Sequence, residues 1–560
     1  MQNTKKLNCL RTTLFCLGII TLCRAGTIAS ADDGGTADPA AMQQWQSNRF
    51  GMFVHFAPCA LTGRELSWSR AGRRADRNEN PTDGTPAAIY DQLYHQFNPS
   101  NFDANAWVNI AKDAGMRYIV LTAKHHDGFA MFDSKLTDYK ITNTPFKRDM
   151  CAELAEACHQ NNFSLGFYYS PPDWHHPDFF TTNQARYNEY FHDQVRELLS
   201  NYGRVDELWF DTDGGTNTPQ TWDNKSLFPM IRQLQPQILI TKRCGGWGDF
   251  NTPEQHIGRY DDQAPWETCM TLGSQWSWKP DDDLKPTSDV IRILATCVGG
   301  DGNLLLDVGP MPDGRIEPRQ VDILKQVGEW LAKNGESIYG TRGGPWKPSK
   351  GLASTRKGSV IYVHILNQKS DTIELPVIPR QIISATLLNG DSVSFTNQDN
   401  SLALTVPQAQ HDAYDTVVKL TLDGSAMDIP AMDLPDHFKA TASNVYRHDR
   451  DDYGARFAFD GDEQTRWATD DGTRQAWVAV QYPKARTVNE VFISEALTSR
   501  VQKFEFQYRD GGDWKTIFSG TTLGKKFEKH FDAVTASAFR LNIRDASGPP
   551  TINEIDLSEQ

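Results

Sequence analysis

Asp211 closes an apolar run. Glu207-Leu208-Trp209-Phe210 reads as a short buried strand, and Gly214 and Gly215 allow the sharp exit that a loop above a sheet needs. A carboxylate where a buried strand opens can be a nucleophile, a metal ligand or a turn cap, and this stretch alone favours the cap. Other apolar runs end in similar fashion. Residues 50–56 finish near His55, and residues 116–123 lead into Lys124-His125-His126-Asp127-Gly128-Phe129. Residues 163–169 end in Tyr168-Tyr169-Ser170, with Asp173 and Trp174 following, and residues 237–242 lead into Arg243, with Trp247 close behind. One histidine alone is more often a satisfied core or loop group. Hydrogen-bonding and aromatic residues at several successive strand ends point instead to one lined pocket.

His55, His125, His126 and Asp211 could offer two imidazoles and a carboxylate to a metal ion. Adjacent histidines on an extended segment point to opposite faces, so His125 and His126 are not expected to reach one ion together. No CxxC pair or HExxH motif marks a zinc site. The expectation is carboxylate chemistry with no cofactor for catalysis.

The elements that must hold these residues alternate between strand and helix from Trp45 to about Gly340. Strands are expected at 50–56, 116–123, 163–169, 206–211, 237–242 and 303–308. Helices are expected at 87–97, 104–114, 149–160, 188–200, 227–234, 288–297 and 317–334. Asp103 caps the helix 104–114, which puts Trp107, Ile110, Ala111 and Ala114 on one face before Gly115 ends it. Such repetition implies a parallel sheet, and this many units implies an α/β fold of the (β/α) TIM-like barrel type, irregular in outline, over residues 40–343. In that architecture chemistry sits at the C-terminal ends of the strands. The pattern then changes. Short β-like runs at 359–366, 372–377, 402–406 and 416–422 indicate a small antiparallel β-sandwich over 344–428. A Pro-bearing linker at 430–435 leads to a second all-β unit over 436–560.

The chain has 560 residues and a formal net charge of -14, with 15 Trp, 28 Phe and 17 Tyr. An acidic surface without a basic stripe excludes nucleic acid as a partner. Lys5, Lys6 and Arg11 precede an apolar run ending at Leu22, and Ala29-Ser30-Ala31 is a small-x-small site. This is the layout of a signal peptide over 1–31, too short for a membrane span, and it implies a secreted or periplasmic protein. Of nine cysteines, three fall in that segment; the other six are scattered and are expected to be buried thiols.

Six motifs occur in a telling order: Arg49-Phe50-Gly51-Met52-Phe53-Val54-His55, Ala123-Lys124-His125-His126-Asp127-Gly128-Phe129, Leu208-Trp209-Phe210-Asp211, Thr252-Pro253-Glu254, Trp266-Glu267-Thr268-Cys269, and Gly302-Asn303-Leu304-Leu305-Leu306-Asp307-Val308-Gly309-Pro310. Together they resemble the α-L-fucosidases of glycoside hydrolase family 29, over roughly residues 40–425. The resemblance implies a retaining exo-glycosidase acting on fucosylated oligosaccharides or glycoconjugates. It makes Asp211 the nucleophile and Glu254 the acid/base, with Glu267 the competitor for the second role. It also implies that His55, Trp68, His125, His126, Tyr169, Trp209, Arg243 and Trp276 bind the sugar, Tyr168 being the competing tyrosine. Imidazoles and a guanidinium can bind sugar hydroxyls, and an aromatic wall can pack on the fucose C6 methyl. Two positions depart from the family's pattern. Gln275-Trp276-Ser277-Trp278-Lys279 replaces a Ser-Trp-Gly-Tyr segment, and Asp307 stands where asparagine is usual. A related hexoside such as a β-galactoside is the rival substrate, and an inactive glycan-binding protein the rival of another class.

Near the start of the last unit lies Phe457-Ala458-Phe459-Asp460-Gly461-Asp462-Glu463-Gln464-Thr465-Arg466-Trp467, and near its end Ile552-Asn553-Glu554-Ile555. These resemble the discoidin-like (F5/8 type C) modules, many of which bind sugars. The resemblance implies a structural Ca²⁺ held by Asp460, Thr465 and Glu554, whose hard oxygens suit that ion.

Overall fold

The computed structural model describes residues 35–71, 84–212, 221–349, 351–366, 370–398, 401–434, 438–461, 465–496 and 499–558. The expected leader and the turn at Asp213, Gly214 and Gly215 lie outside the described residues. No helix among the described residues is long and apolar enough to cross a membrane.

Seven parallel strands form the first sheet: β1 (Phe50–Val54), β2 (Tyr118–Lys124), β3 (Ser164–Tyr169), β4 (Glu207–Phe210), β5 (Leu239–Ile240), β6 (Glu267–Thr271) and β7 (Asn303–Val308). Their spatial order is β5-β4-β3-β2-β1-β7-β6. The gap between β5 and β6 is closed without a regular strand. Phe250 bridges Thr241 on one side, while Asn251 bridges Trp266 and Glu254 bridges Cys269 on the other. The barrel is therefore irregular at the segment that carries Glu254.

Side-chain alternation along the strands divides two cores. Phe53, Tyr118, Val120, Tyr168, Trp209, Cys269 and Leu305 point into the barrel, where Trp45 of α1 (Pro39–Asn48) also packs. Phe50, Met52, Val54, Leu121, Phe167, Tyr169, Leu208 and Phe210 face the surrounding helices. Those helices include α2 (Ala104–Asp113), α3 (Met150–Gln160), α4 (Gln184–Asn201), α5 (Asn224–Leu234), α6 (Thr287–Gly299) and α7 (Pro318–Asn334). Asp103 caps α2 as its side chain accepts from the Asn105 and Ala106 amides at 2.9 and 3.2 Å. The stretch 87–97, expected as one helix, holds only the short Ala87–Tyr90 turn and a 3-10 turn at Leu93–His95.

The β-sandwich pairs a five-stranded antiparallel sheet with a three-stranded one around Trp346, Ile361, Val363, Leu402, Leu404 and Val418. Met432 and Leu434 pack against this core, and the Met432 amide donates to Pro345 O at 2.7 Å. The C-terminal unit is antiparallel, built largely from Ala476–Glu495, Val501–Asp510, Phe527–Ala546 and Thr551–Ser558. Its core contains Val478, Val480, Phe504, Phe506, Phe539 and Leu541. The six cysteines after residue 31 are all buried and unbridged.

Candidate active site

A pocket opens at the C-terminal ends of the strands. Phe53, His55, Trp68, His125, His126, Tyr168, Trp209, Asp211, Thr212, Arg243, Glu254 and Trp276 line it. Every sugar-binding residue expected from the sequence is among them except Tyr169.

Tyr169 is a correction. Tyr168 registers with Trp209 and Tyr169 with Phe210, so the two tyrosines take opposite faces of the sheet. The Tyr169 hydroxyl donates to Gln194 of α4 at 2.7 Å, and its ring stacks on Phe191, away from the pocket. Tyr168 is the pocket tyrosine, and its hydroxyl donates to Oδ2 of Asp211 at 2.8 Å. Burial, and then the charge of Asp211, push its pKa well up, so it stays a donor.

The histidine pair also differs from expectation. β2 ends at Lys124, whose buried Nζ donates to Pro172 O at 3.1 Å. The chain then turns, with the Gly128 amide donating to His125 O at 3.0 Å. Gly128 has φ +83°, and a Cβ there would meet Asp173 at 2.2 Å, so this turn requires glycine. Because the segment turns rather than extends, both rings reach the pocket, and ligand atoms of His125, His126 and Asp211 lie within 4.8 Å of one another. The opposite-faces objection to a shared ion therefore does not hold.

The donor set nonetheless suits a sugar better than a cation. Both oxygens of Asp211 already accept hydrogen bonds, Oδ1 from Arg243 Nη1 at 2.8 Å and Oδ2 from Tyr168. The guanidinium occupies the place a second cation would need. Each histidine is anchored from behind, His125 Nδ1 by Ser67 Oγ at 2.6 Å and His126 Nδ1 by Ser170 Oγ at 2.5 Å. The Ser170 hydroxyl donates its one proton to Pro172 O, so it accepts from His126 Nδ1–H. His126 thus turns its Nε2 toward the pocket, 3.7 Å from Asp211 Oδ2. Burial, and then His126 and His55, hold the His125 pKa well below the usual imidazole range.

Arg243 joins the two carboxylates. Its Nε and Nη2 are fixed by Thr252 Oγ1 and O at 2.6 and 2.9 Å. Its Nη1 donates to both Asp211 Oδ1 and Glu254 Oε2, each at 2.8 Å. Burial alone would lower its pKa; its acidic neighbours, Asp211 foremost, reverse that and raise it. Asp211 has a side chain 15% exposed, whereas that of Glu254 is 43% exposed and borders the opening.

Glu267 is not in the pocket. It is the first residue of β6, so it lies at the opposite end of its strand from the pocket. It is fully buried, accepting from Trp209 Nε1 at 3.3 Å and from the Tyr118 hydroxyl.

Sequence reading missed Glu65 and the part played by Asp307. Glu65 accepts from the Trp276 and Ser277 amides at 2.9 and 3.2 Å and so clamps the loop that carries Trp276. Asp307 accepts from His55 Nδ1 at 2.7 Å, and burial pushes its pKa up to about 6. In the C-terminal unit, Thr465 donates to Asp460 Oδ2 at 2.9 Å, and the Gly461 amide donates to Glu554 Oε2 at 2.8 Å. The three oxygen-bearing residues expected there thus meet at one loop, while residues 462–464 lie outside the described set.

Residues 31–336 match the family model described as Alpha-L-fucosidase, and residues 439–556 match that of the F5/8 type C domain. The chain is 30% identical over 326 residues to Alpha-L-fucosidase 1 of Arabidopsis thaliana, covering 52% of this chain and 60% of that protein. The match thus spans less than two thirds of that relative. Among solved structures, α-L-fucosidase isoenzyme 1 from Paenibacillus thiaminolyticus aligns at TM-score 0.63 with 37% identity, covering 68% of this chain and 99% of that one. A Bacteroides thetaiotaomicron family 29 α-L-fucosidase, trapped as a covalent intermediate with 2-fluoro-fucosyl fluoride, aligns at 0.62 with 25% identity, covering 70% and 98%.

Proposed function

The chain belongs to the α-L-fucosidase family, glycoside hydrolase family 29, with an F5/8 type C domain behind its catalytic unit, and on that premise we propose that it is a retaining exo-glycosidase releasing terminal α-L-fucose from fucosylated oligosaccharides or glycoconjugates. The observation that carries this reading is the shared Arg243 nitrogen. Two oxygens each 2.8 Å from one atom are at most 5.6 Å apart, twice that distance. This supports the retaining separation of about 5–5.5 Å over the inverting one of about 6.5–9.5 Å.

Asp211 attacks the anomeric carbon and becomes covalently linked to fucose. Tyr168 and Arg243 hold its two oxygens, which aims the carboxylate and keeps it from swinging. Glu254, at the pocket's edge, gives a proton to the leaving oxygen and then takes one from the water that releases fucose. His55, His125, His126 and Trp68 face the sugar's hydroxyls and edge, and Trp276 and Phe53 form an apolar wall for the C6 methyl. Catalysis needs no metal on this reading.

The F5/8 type C domain serves to hold glycan near the catalytic unit. Asp460, Thr465 and Glu554 would hold a structural Ca²⁺ there, and hard carboxylate and hydroxyl oxygens fit such an ion. The basic and then apolar residues of 1–31 direct the protein to secretion or the periplasm.

The test is turnover of chromogenic α-L-fucoside against β-D-galactoside, with the product anomer read by NMR. A 2-fluoro-fucosyl fluoride should label the peptide containing Asp211. Inversion at the anomeric centre, or preference for the galactoside, would overturn the reading.

A further inference from the structure

Beneath the pocket floor two carboxyl groups meet inside the barrel. Glu207 begins β4 and Glu267 begins β6; they are 2% and 0% exposed. No lysine or arginine among the described residues forms an ion pair with either. Two carboxylates side by side without a cation cannot both stay ionised, so the pair keeps one proton.

The surrounding donors locate that proton. Indole N–H groups only donate, so a carboxyl oxygen facing one must accept. Glu267 Oε1 faces Trp209 Nε1 at 3.3 Å, and its Oε2 takes the Tyr118 hydroxyl. Glu207 Oε2 faces Trp45 Nε1 at 3.2 Å. The buried Oε1 of Glu207 is the one oxygen of the four without such a donor. The proton of the pair therefore sits on Glu207 Oε1, facing Glu267; burial pushes the Glu267 pKa up as well, to about 7, so Glu267 is the member that ionises first. Burial, and then the charge of Glu267, push the Glu207 pKa well up, in agreement.

Trp209 links this pair to the chemistry. Its ring is stacked with Tyr168 at 5.5 Å and 18°, and the Arg243 guanidinium lies 4.9 Å above it. Tyr168 and Arg243 are the two groups that hold Asp211. We propose that Glu267 is a positioning residue: through its charge-assisted bond to the Trp209 indole it fixes the platform on which Tyr168 and Arg243 meet Asp211, and protonated Glu207 secures it from below.

This rests on the pocket binding fucose, and the experiment separates the two. In the full chain, Glu207→Gln, Glu267→Gln, Trp209→Phe and the double variant of the last two are compared. Readouts are the Kd of a fucose-configured iminosugar, and kcat/KM on fucosides with good and poor leaving groups. An amide at 207 donates as the acid did, so Glu207→Gln should stay within about twofold of wild type. An amide at 267 offers only one accepting oxygen where two donors and the acid converge. Glu267→Gln should weaken iminosugar binding and lower kcat/KM by about tenfold, equally on both leaving groups and without azide rescue. In the Trp209→Phe background the same change should cost less than about twofold, because the partner N–H is gone. Equal effects of the two Gln variants, or an undiminished effect of Glu267→Gln in the Trp209→Phe background, would overturn the positioning role. A loss confined to poor leaving groups would overturn it too. A wild-type protein that neither binds the iminosugar nor cleaves the fucoside would instead sink the functional reading.

Discussion

The Tyr168 hydroxyl donates to Asp211 Oδ2 at 2.8 Å, on the opposite oxygen from the one that Arg243 holds. A hydrogen bond to an ionised group is worth about 1.5–3 kcal/mol. Tyr168→Phe should therefore lower kcat/KM on an aryl α-L-fucoside by roughly 10- to 100-fold. Tyr169→Phe removes a bond to Gln194 on the helix side instead. It should leave kcat within about twofold and cost about 1 kcal/mol of stability in urea unfolding. Reversed effects would return Tyr169 to the pocket.

These two tyrosines show how far a sequence can be read. Both end an apolar run, and type alone cannot choose between them. The choice is set by parity against Trp209 on the neighbouring strand, a register known only from pairing. β7 is legible because Leu304-Leu305-Leu306 marks a strand buried on both faces. β6 is not, because Glu267-Thr268-Cys269-Met270-Thr271 is buried throughout yet looks polar. With β6 unseen, Glu267 cannot be placed at the start of a strand, the end remote from barrel chemistry. The shared direction of His125 and His126 escapes the sequence for another reason. The strand stops one residue before them, and the Gly128 turn redirects both rings.

Asp307 supplies a pH-dependent prediction. Its folded-state pKa is raised by burial to about 6, with the His55 contact pulling the other way. An unfolded Asp titrates near 3.9. Between those values the folded state holds more protons, so stability falls as pH rises from about 4 to about 6. The change is on the order of 2–3 kcal/mol. Asp307→Asn keeps an oxygen for His55 but does not titrate. In urea unfolding at pH 4 and pH 7, wild type should lose more stability than the variant. Parallel losses would mean that Asp307 is ionised across the range.

Chelation should separate the two candidate ion sites. In the pocket, Arg243 and Tyr168 already occupy both Asp211 oxygens. Brief EDTA treatment should leave initial rates on a small fucoside unchanged. If Asp460, Thr465 and Glu554 hold Ca²⁺, EDTA should lower the melting temperature of the C-terminal unit, and added calcium should restore it. Rates lost to EDTA and regained with zinc would assign His125, His126 and Asp211 to a metal.

Removing the C-terminal unit should spare small substrates. The cut belongs after Leu434, since Met432 and Leu434 complete the sandwich core. The loop beyond Glu254 touches the unit where Arg259 lies 5.4 Å over Phe457. Glu254 itself is held closer to home. The Gln255 amide donates to Cys269 O at 2.9 Å, and the Cys269 amide to Pro253 O at 3.0 Å. The truncated protein should keep its kcat on an aryl fucoside and lose rate on surface-bound glycan, through lower effective concentration. A folded truncation that fails on the small substrate would make the module part of the active site.

The two proposed catalytic carboxylates, Asp211 and Glu254, should separate by leaving group. As the proposed nucleophile, Asp211 would form the covalent intermediate whatever departs, so Asp211→Ala should lose many orders of magnitude on every substrate. Glu254 matters in proportion to the proton the leaving oxygen needs. A sugar alcohol needs one in the transition state; an acidic phenol does not. Glu254→Ala should greatly slow oligosaccharide cleavage and slow the first step on an activated aryl fucoside much less. The fucosyl-enzyme then lacks a base for hydrolysis, so product should appear as a burst followed by a slow phase. Azide requires no deprotonation. It should restore turnover and yield fucosyl azide of the substrate's own configuration. Glu254 can take this part because its side chain is 43% exposed at the pocket's edge, where leaving group and water arrive, while Arg243 keeps it beside Asp211. If Glu254→Ala gives neither the leaving-group dependence nor the azide product, another acid serves the aglycone, and Asp211 keeps its role as nucleophile.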